Sequence, residues 1–282
     1  MTTDIKPRAA NKSDYSQLAV FLNSRIKIHR HLDWRATLDW LGYQPFWILE
    51  QNSHIQALLA FPPDIPDVYW VRLFAVSCAY SAEKTWDKLF PKALKSQPFK
   101  PESTIVILAY LDWLKEILLT RGWQERQRVI LLKWSGSFPE TLKNPKGIII
   151  RPMLYSDLQQ VARIDHVSFE SIWRHSTNAI MRAFGQSSYS TVAEHEEKVI
   201  AYQISHSEIL RAHLARLAIV PDFRNKGIGT ALVQDMLSHF HKLWIGEITV
   251  NTQLNNYASI RLYKKLGFTI TKESYPILAY LH

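Results

Sequence analysis

Residues 216–229 read RLAIVPDFRNKGIG, and their pattern sets how the rest of the chain is understood. An apolar, β-branched run from Leu217 to Val220 stops at Pro221, where the missing N–H and fixed φ end a strand. Arg224, Asn225, Lys226, Gly227, Ile228 and Gly229 follow and lead into an apolar-periodic segment, Thr230 to His241. The order is strand, glycine loop, helix. A helix start leaves its first N–H groups unpaired at the positive end of the helix dipole, and glycine removes the Cβ that would hold a diphosphate away from them. The stretch predicts an anion site. A Walker loop is excluded because Lys226 precedes both glycines, and a dinucleotide loop because Leu232 stands where its third glycine belongs.

Downstream, residues 249–268 read TVNTQLNNYASIRLYKKLGF, with Asn256 seven residues before Tyr263 and Gly267-Phe268 closing the segment. The string R-x-x-G-x-G from Arg224 to Gly229, followed by N-x-x-S-x-x-L-Y-x-x-L-G-F from Asn256, resembles the GNAT superfamily of N-acyltransferases. Ser259 replaces the family's alanine, a small-for-small change. The resemblance covers about 130 residues and implies an acetyl-CoA site. In it, Leu217, Ala218 and Ile219 offer main-chain groups to the pantetheine arm. Arg224, Asn225, Lys226, Gly227, Ile228, Gly229 and Thr230 hold the pyrophosphate. Asn256 contacts CoA, although asparagine is also among the best helix N-caps. Tyr263 matches the tyrosine that protonates the leaving thiolate; its other reading is an amphipathic-helix residue packed beside Ile260 and Leu266.

The general base is less plainly written. An alkylammonium near pKa 10 must lose its proton before its nitrogen attacks, and some family members carry a glutamate on the strand before the asparagine. Thr249 stands there. Others place a glutamate four residues before the apolar triplet, where this chain has His213. Counting by two, His213, Ala215, Leu217 and Ile219 share one strand face provided that no bulge intervenes. An imidazole is a reasonable acceptor, and Glu208 is the next candidate. In ARIDHVSFESIW, residues 162–173, Asp165, Phe169, Glu170 and Trp173 resemble acceptor-side helix residues of the family, where carboxylates would hold a cationic amine. An amphipathic helix docked on the sheet explains the same pattern.

The formal charge of +9 does not point to nucleic acid. Splitting the chain after residue 145 leaves 19 − 14 = +5 in the first part and 15 − 11 = +4 in the second, with no basic run. A spread surface charge of this kind suits attraction of a polyanionic cofactor. The single cysteine, Cys78, forms no disulfide within the chain and reads as a small buried thiol. No H-E-x-x-H or C-x-x-C occurs, and His239 and His241 are two apart on one helix, so no metal is implied. The reading expects an amine substrate, either a small molecule or a protein N-terminus, with no nucleic acid, no membrane and a cytoplasmic location.

The chain also matches itself at an offset of 143–145 residues. Arg8 and Asp14 fall on Arg151 and Asp157, Arg72-Leu73-Phe74-Ala75-Val76 on Arg216-Leu217-Ala218-Ile219-Val220, and Gly122-Trp123 on Gly267-Phe268. Strands alternate with helices while consecutive hairpins persist. The fold class is therefore α/β (α+β), two tandem GNAT-like domains, each a mixed, largely antiparallel sheet flanked by helices. Residues 1–137 form the first domain, 138–147 a linker and 148–282 the acetyl-CoA-binding catalytic domain. After Val76 the first copy has neither arginine nor glycine at the loop, which makes it degenerate as a cofactor site. The function implied is transfer of an acetyl group to a primary amine by direct attack in a ternary complex; the alternative is a non-catalytic acyl-CoA-binding regulatory module.

Overall fold

The computed structural model describes residues 6–136 and 144–281; most of the linker at 138–147 lies outside the described residues. Contacts divide the chain into two compact units, one reaching to Arg126 and joined by the stretch from Pro276, the other running Gln127–Tyr275.

The first unit carries β1 (Lys6–Ala9), α1 (Tyr15–Leu22), β2 (Ile26–Arg30), β3 (Phe46–Gln51), β4 (His54–Ala60), β5 (Val68–Trp70), β6 (Leu73–Ser77), α2 (Ala82–Lys95), β7 (Thr104–Leu108) and α3 (Asp112–Leu119). Its five-stranded sheet has the order β1-β3-β4-β6-β2, and β5 pairs parallel with β7. The apolar span around Val71-Arg72 is broken there into β5 and β6. The β2 strand was not expected from the sequence.

The chain continues with β8 (Gln124–Trp134), β9 (Ile149–Pro152), α4 (Leu158–Ser168), α5 (Thr177–Gln186), β10 (Tyr189–His195), β11 (Lys198–Glu208), β12 (Arg211–Ile219), α6 (Ile228–Lys242), β13 (Glu247–Gln253), α7 (Tyr257–Lys265) and β14 (Phe268–Tyr280). In the second unit the strands run β14-β8-β13-β12-β11-β10-β9. All neighbours registered within this run are antiparallel except β12 with β13. The division at 1–137 and 148–282 follows the repeat in the sequence, whereas the compact units redistribute its closing strands. Most of β8 belongs to the second unit, and the end of β14 pairs with β7 in the first.

Packing follows the apolar periodicity. In α6, Ile228, Leu232, Met236 and Phe240 recur every four residues and are buried, and Lys242 occupies the last turn, where a cation suits the dipole. The duplication recurs in side-chain detail. Arg8 binds Asp14 at 2.7 Å and, through Nε, Glu50 at 2.8 Å. Arg151 binds Asp157 at 2.7 Å and Glu194 at 2.9 Å. In both copies the hairpin register shifts immediately before that glutamate. No described helix is long and apolar enough to cross a membrane.

Candidate functional site

The second unit holds a cleft of about 560 Å³ built where β12 ends and α6 begins. It is lined by Leu217 and Ile219 of β12, by Arg224, Asn225, Gly227, Gly229 and Thr230 of the loop and helix start, by Asn256, Ala258, Ser259, Arg261, Leu262 and Lys265 around α7, and by Ser168 and Phe169 at the end of α4. Eight residues assigned from the sequence to the cofactor, and Phe169 from the acceptor side, thus meet at one place. Ala218 and Ile228 are buried behind the wall, and Lys226 turns away, its ammonium 4.7 Å over the Phe223 ring.

The loop geometry is set by two left-handed residues, Asn225 at φ 61° and Gly227 at φ 82°. Gly227 is the N-cap of α6, and no side chain caps that terminus. The glycines therefore do different jobs. Gly227 supplies the positive φ that L-residues avoid. A Cβ at Gly229 would lie 3.1 Å from Leu262 and 3.2 Å from Ile219, so this glycine lets α6, α7 and β12 close together. Arg224 is held on main-chain carbonyls, its Nε donating to Ile219 O and its Nη2 to Ser168 O, each at 3.2 Å.

Beside the loop, β12 and β13 part. Their parallel ladder runs from Arg211/Glu247 to Leu214/Val250 and stops, while β12 continues to Ile219 along β11. The β13-facing edge of residues 215–219 is therefore left without a strand partner among the described residues. The first unit supplies the contrast. There β6, the counterpart of this edge at an offset of 144 residues, is flanked by β4 on one side and by β2 on the other, from Ile26/Ser77 to Arg30/Leu73. The missing loop differs as well: Ser81 caps α2 by accepting from Lys84 N at 3.2 Å, and Glu83 sits in the first turn.

Asn256 performs the cap function, its Oδ1 accepting from Ser259 N at 3.2 Å, while also lining the cleft. Tyr263 is 4% exposed and packs in the same core cluster as Leu214 and Val250, the last rung before the strands diverge. Burial pushes its phenol further above the usual range.

Other sequence expectations are corrected. A bulge does intervene in β12: Arg216 faces Ile204 and Leu214 faces Ser205, leaving Ala215 as an extra residue. Parity reverses across it, so His213 does not share a face with Leu217 and Ile219. Its Nδ1 lies 2.8 Å from Thr249 Oγ1, and burial, aided by His206, lowers its pKa to about 4. Asp165 is fully buried and bound to Arg216, Tyr202 and the His175 N–H, so it is not available to an amine. Glu170 and Trp173 both bind Gln127, at 2.8 and 2.7 Å. Cys78 is exposed, in the turn after β6. Among the described residues no group of three metal-ligating side chains occurs.

The sequence reading missed Arg261, Leu262 and Lys265. Their signal was available, since 258, 261, 262 and 265 recur on one face of a helix capped at Asn256. They change the electrostatics: three cations line the cleft with no carboxylate.

Residues 158–268 match the model of the acetyltransferase (GNAT) family. The second unit carries a GNAT-family domain. Among curated relatives, the [ribosomal protein bS18]-alanine N-acetyltransferase of Escherichia coli K12 is 30% identical over 82 residues, covering 28% of this chain and 55% of the relative. A tandem GNAT protein from the clavulanic acid biosynthesis pathway superposes with a TM-score of 0.64 at 13% identity, covering 98% of each chain. A GCN5-related N-acetyltransferase from Anabaena variabilis superposes at 0.73 and 10% identity, covering 99% of this chain and 73% of that one. At these identities the last two likenesses are of fold.

Proposed function

We propose that this protein is an acetyl-CoA-dependent N-acetyltransferase with one cofactor site per chain, in the second unit. The observation that carries the reading is the cleft itself, where an uncapped helix N-terminus, an unpartnered strand edge and three cations converge without an opposing carboxylate. Each element suits one part of acetyl-CoA. The loop from Asn225 to Thr230 would receive the pyrophosphate on main-chain amides, and the edge of residues 215–219 would pair with the amides of the pantetheine arm as a strand would. In the first unit that edge is already occupied by β2 and the helix start is already capped, which supports a first copy that keeps the fold without the cofactor site.

Chemistry would occur where β12 and β13 separate. Tyr263, a neutral phenol, would donate to the departing thiolate, and the N–H groups along the open edge would stabilise the tetrahedral oxyanion. With a pKa near 4, His213 is too weak a base to take a proton from a lysine-like ammonium. That weakness favours an α-amino acceptor. At pH 7 about a tenth of an α-amine near pKa 8 is already neutral, against fewer than about one in a thousand lysine side chains. The similarity to an enzyme named for N-acetylation of an alanine of a ribosomal protein agrees with an α-amino acceptor.

The test is calorimetry with CoA, followed by thiol release from acetyl-CoA with peptides bearing a free N-terminal alanine and with the same peptides blocked at that amine but carrying lysine. Binding with turnover of the free N-terminus supports the proposal. Binding without turnover of any amine would replace it by the cofactor-binding regulatory module, a reading favoured by the low basicity of His213. No binding rejects both.

A further inference from the structure

The ion pair between Arg216 and Asp165 is the most deeply buried charge pair of the second unit that the proposed chemistry does not use. Asp165 and Tyr202 are fully buried and Arg216 nearly so. Arg216 Nε donates to Asp165 Oδ2 at 2.7 Å, and the Tyr202 hydroxyl donates to the same oxygen at 2.5 Å. The other carboxylate oxygen accepts from His175 N at 2.9 Å. The guanidinium also donates to Trp173 O and lies 3.6 Å from the centre of the Phe169 ring. One side chain therefore ties together α4, the segment after it, β11 and β12. Burying two charges is costly unless their geometry is good, and a hydrophobic pair would fill the same volume.

The position explains the expense. Arg216 follows the bulge residue Ala215 and precedes Leu217, which lines the cleft. Phe169, the ring on which its guanidinium lies, lines the cleft as well. The first unit contains the same device at the equivalent position, with Arg72 bound to Asp33 at 2.9 Å and stacked 4.6 Å from the Trp40 ring, but there β2 fills the adjoining edge.

We propose that Arg216 is a positioning residue: held by Asp165, it fixes the open edge of β12 and the Phe169 ring at the separation that admits a pantetheine arm. It acts through these groups and touches no reacting atom. Lysine at this position would keep the charge but lose the planar fork that binds Asp165 and Trp173 O together while lying flat on an aromatic face. The inference rests on the acyl-CoA reading of the cleft.

The experiment compares Arg216→Lys with Arg72→Lys, which removes the twin interaction from the first unit. Each protein is titrated calorimetrically with CoA and with adenosine 3′-phosphate 5′-diphosphate, which lacks only the arm. The expected result is about tenfold weaker CoA binding by Arg216→Lys, unchanged binding of the nucleotide, and unchanged binding of both by Arg72→Lys. Parent-like CoA binding by Arg216→Lys, or an equal loss for CoA and nucleotide, overturns the proposal. If Arg216→Lys does not fold, Phe169→Leu serves in its place with the same arm-specific loss expected and the same overturning results. A parent protein that binds no CoA would sink the acyl-CoA reading instead, a result separable from the rest.

Discussion

At the scale of single residues, Tyr263 stands apart from the side chains that line the cleft, buried in the core cluster with Leu214 and Val250. Its phenol, protonated near neutral pH in any case, is pushed further above its usual range by burial. Tyr263→Phe is expected to lower kcat by about 10²-fold while leaving the CoA dissociation constant within about twofold. Parallel kinetics and calorimetry would check this, and a variant as fast as the parent would remove the phenol from the mechanism. Arg261 and Lys265 are exposed on α7 and face the cleft. The double change Arg261→Gln with Lys265→Gln should weaken CoA binding by about 10- to 100-fold at low salt, with a shallower dependence on salt than the parent shows. Titrations at several ionic strengths measure both.

At the scale of elements, the two copies place equivalent glycines after their last helices but use them differently. Gly122 has φ 81° and open space around its missing Cβ, whereas Gly267 has φ 92° and a Cβ there would fall 2.7 Å from the Gly136 backbone. Gly122→Ala should cost about 1–2 kcal/mol, from backbone strain alone. Gly267→Ala should cost about 2–4 kcal/mol, because main chain must also move. Denaturant melts of the two variants would decide it, and equal losses would contradict the packing argument. The β12 bulge is the other decisive local feature. One additional residue at Ala215 turns His213 to the opposite face from Leu217, and a base assigned by alternation alone falls on the wrong side of the sheet.

For the whole molecule, the two units predict a stoichiometry of one CoA per chain, read directly from the calorimetric midpoint; a value of two would mean that β2 yields its edge to ligand. Stability should also depend on pH in a stated direction. His29 and His213 each have a pKa lowered from about 6.5 to about 4, both chiefly by burial. The unfolded chain binds protons that the fold refuses between those values. The stability these neutral imidazoles allow is complete above about pH 6.5 and is lost as pH falls towards 4, by up to about 3 kcal/mol for each. Thermal melts between pH 7.5 and 4.5 should show this fall. His29→Gln should flatten the profile, and a variant with the parent's slope would show that His29 is not responsible.

The sequence by itself determined the glycine loop, the α7 string and the duplication, because each is a local pattern: a proline-terminated strand, glycines at a helix start, a capped helix, an offset shared by distant segments. Leu217, Ile219, Arg224, Gly227, Gly229 and Asn256 could be assembled from such patterns before any coordinate was known. Only the tertiary structure decided which strand edge stays open, which face His213 takes and where the charge of Asp165 is spent. Those outcomes depend on pairing between segments far apart in the chain. Whether an edge is covered by β2 or left free is set by which remote strand completes the ladder, and no local periodicity records it.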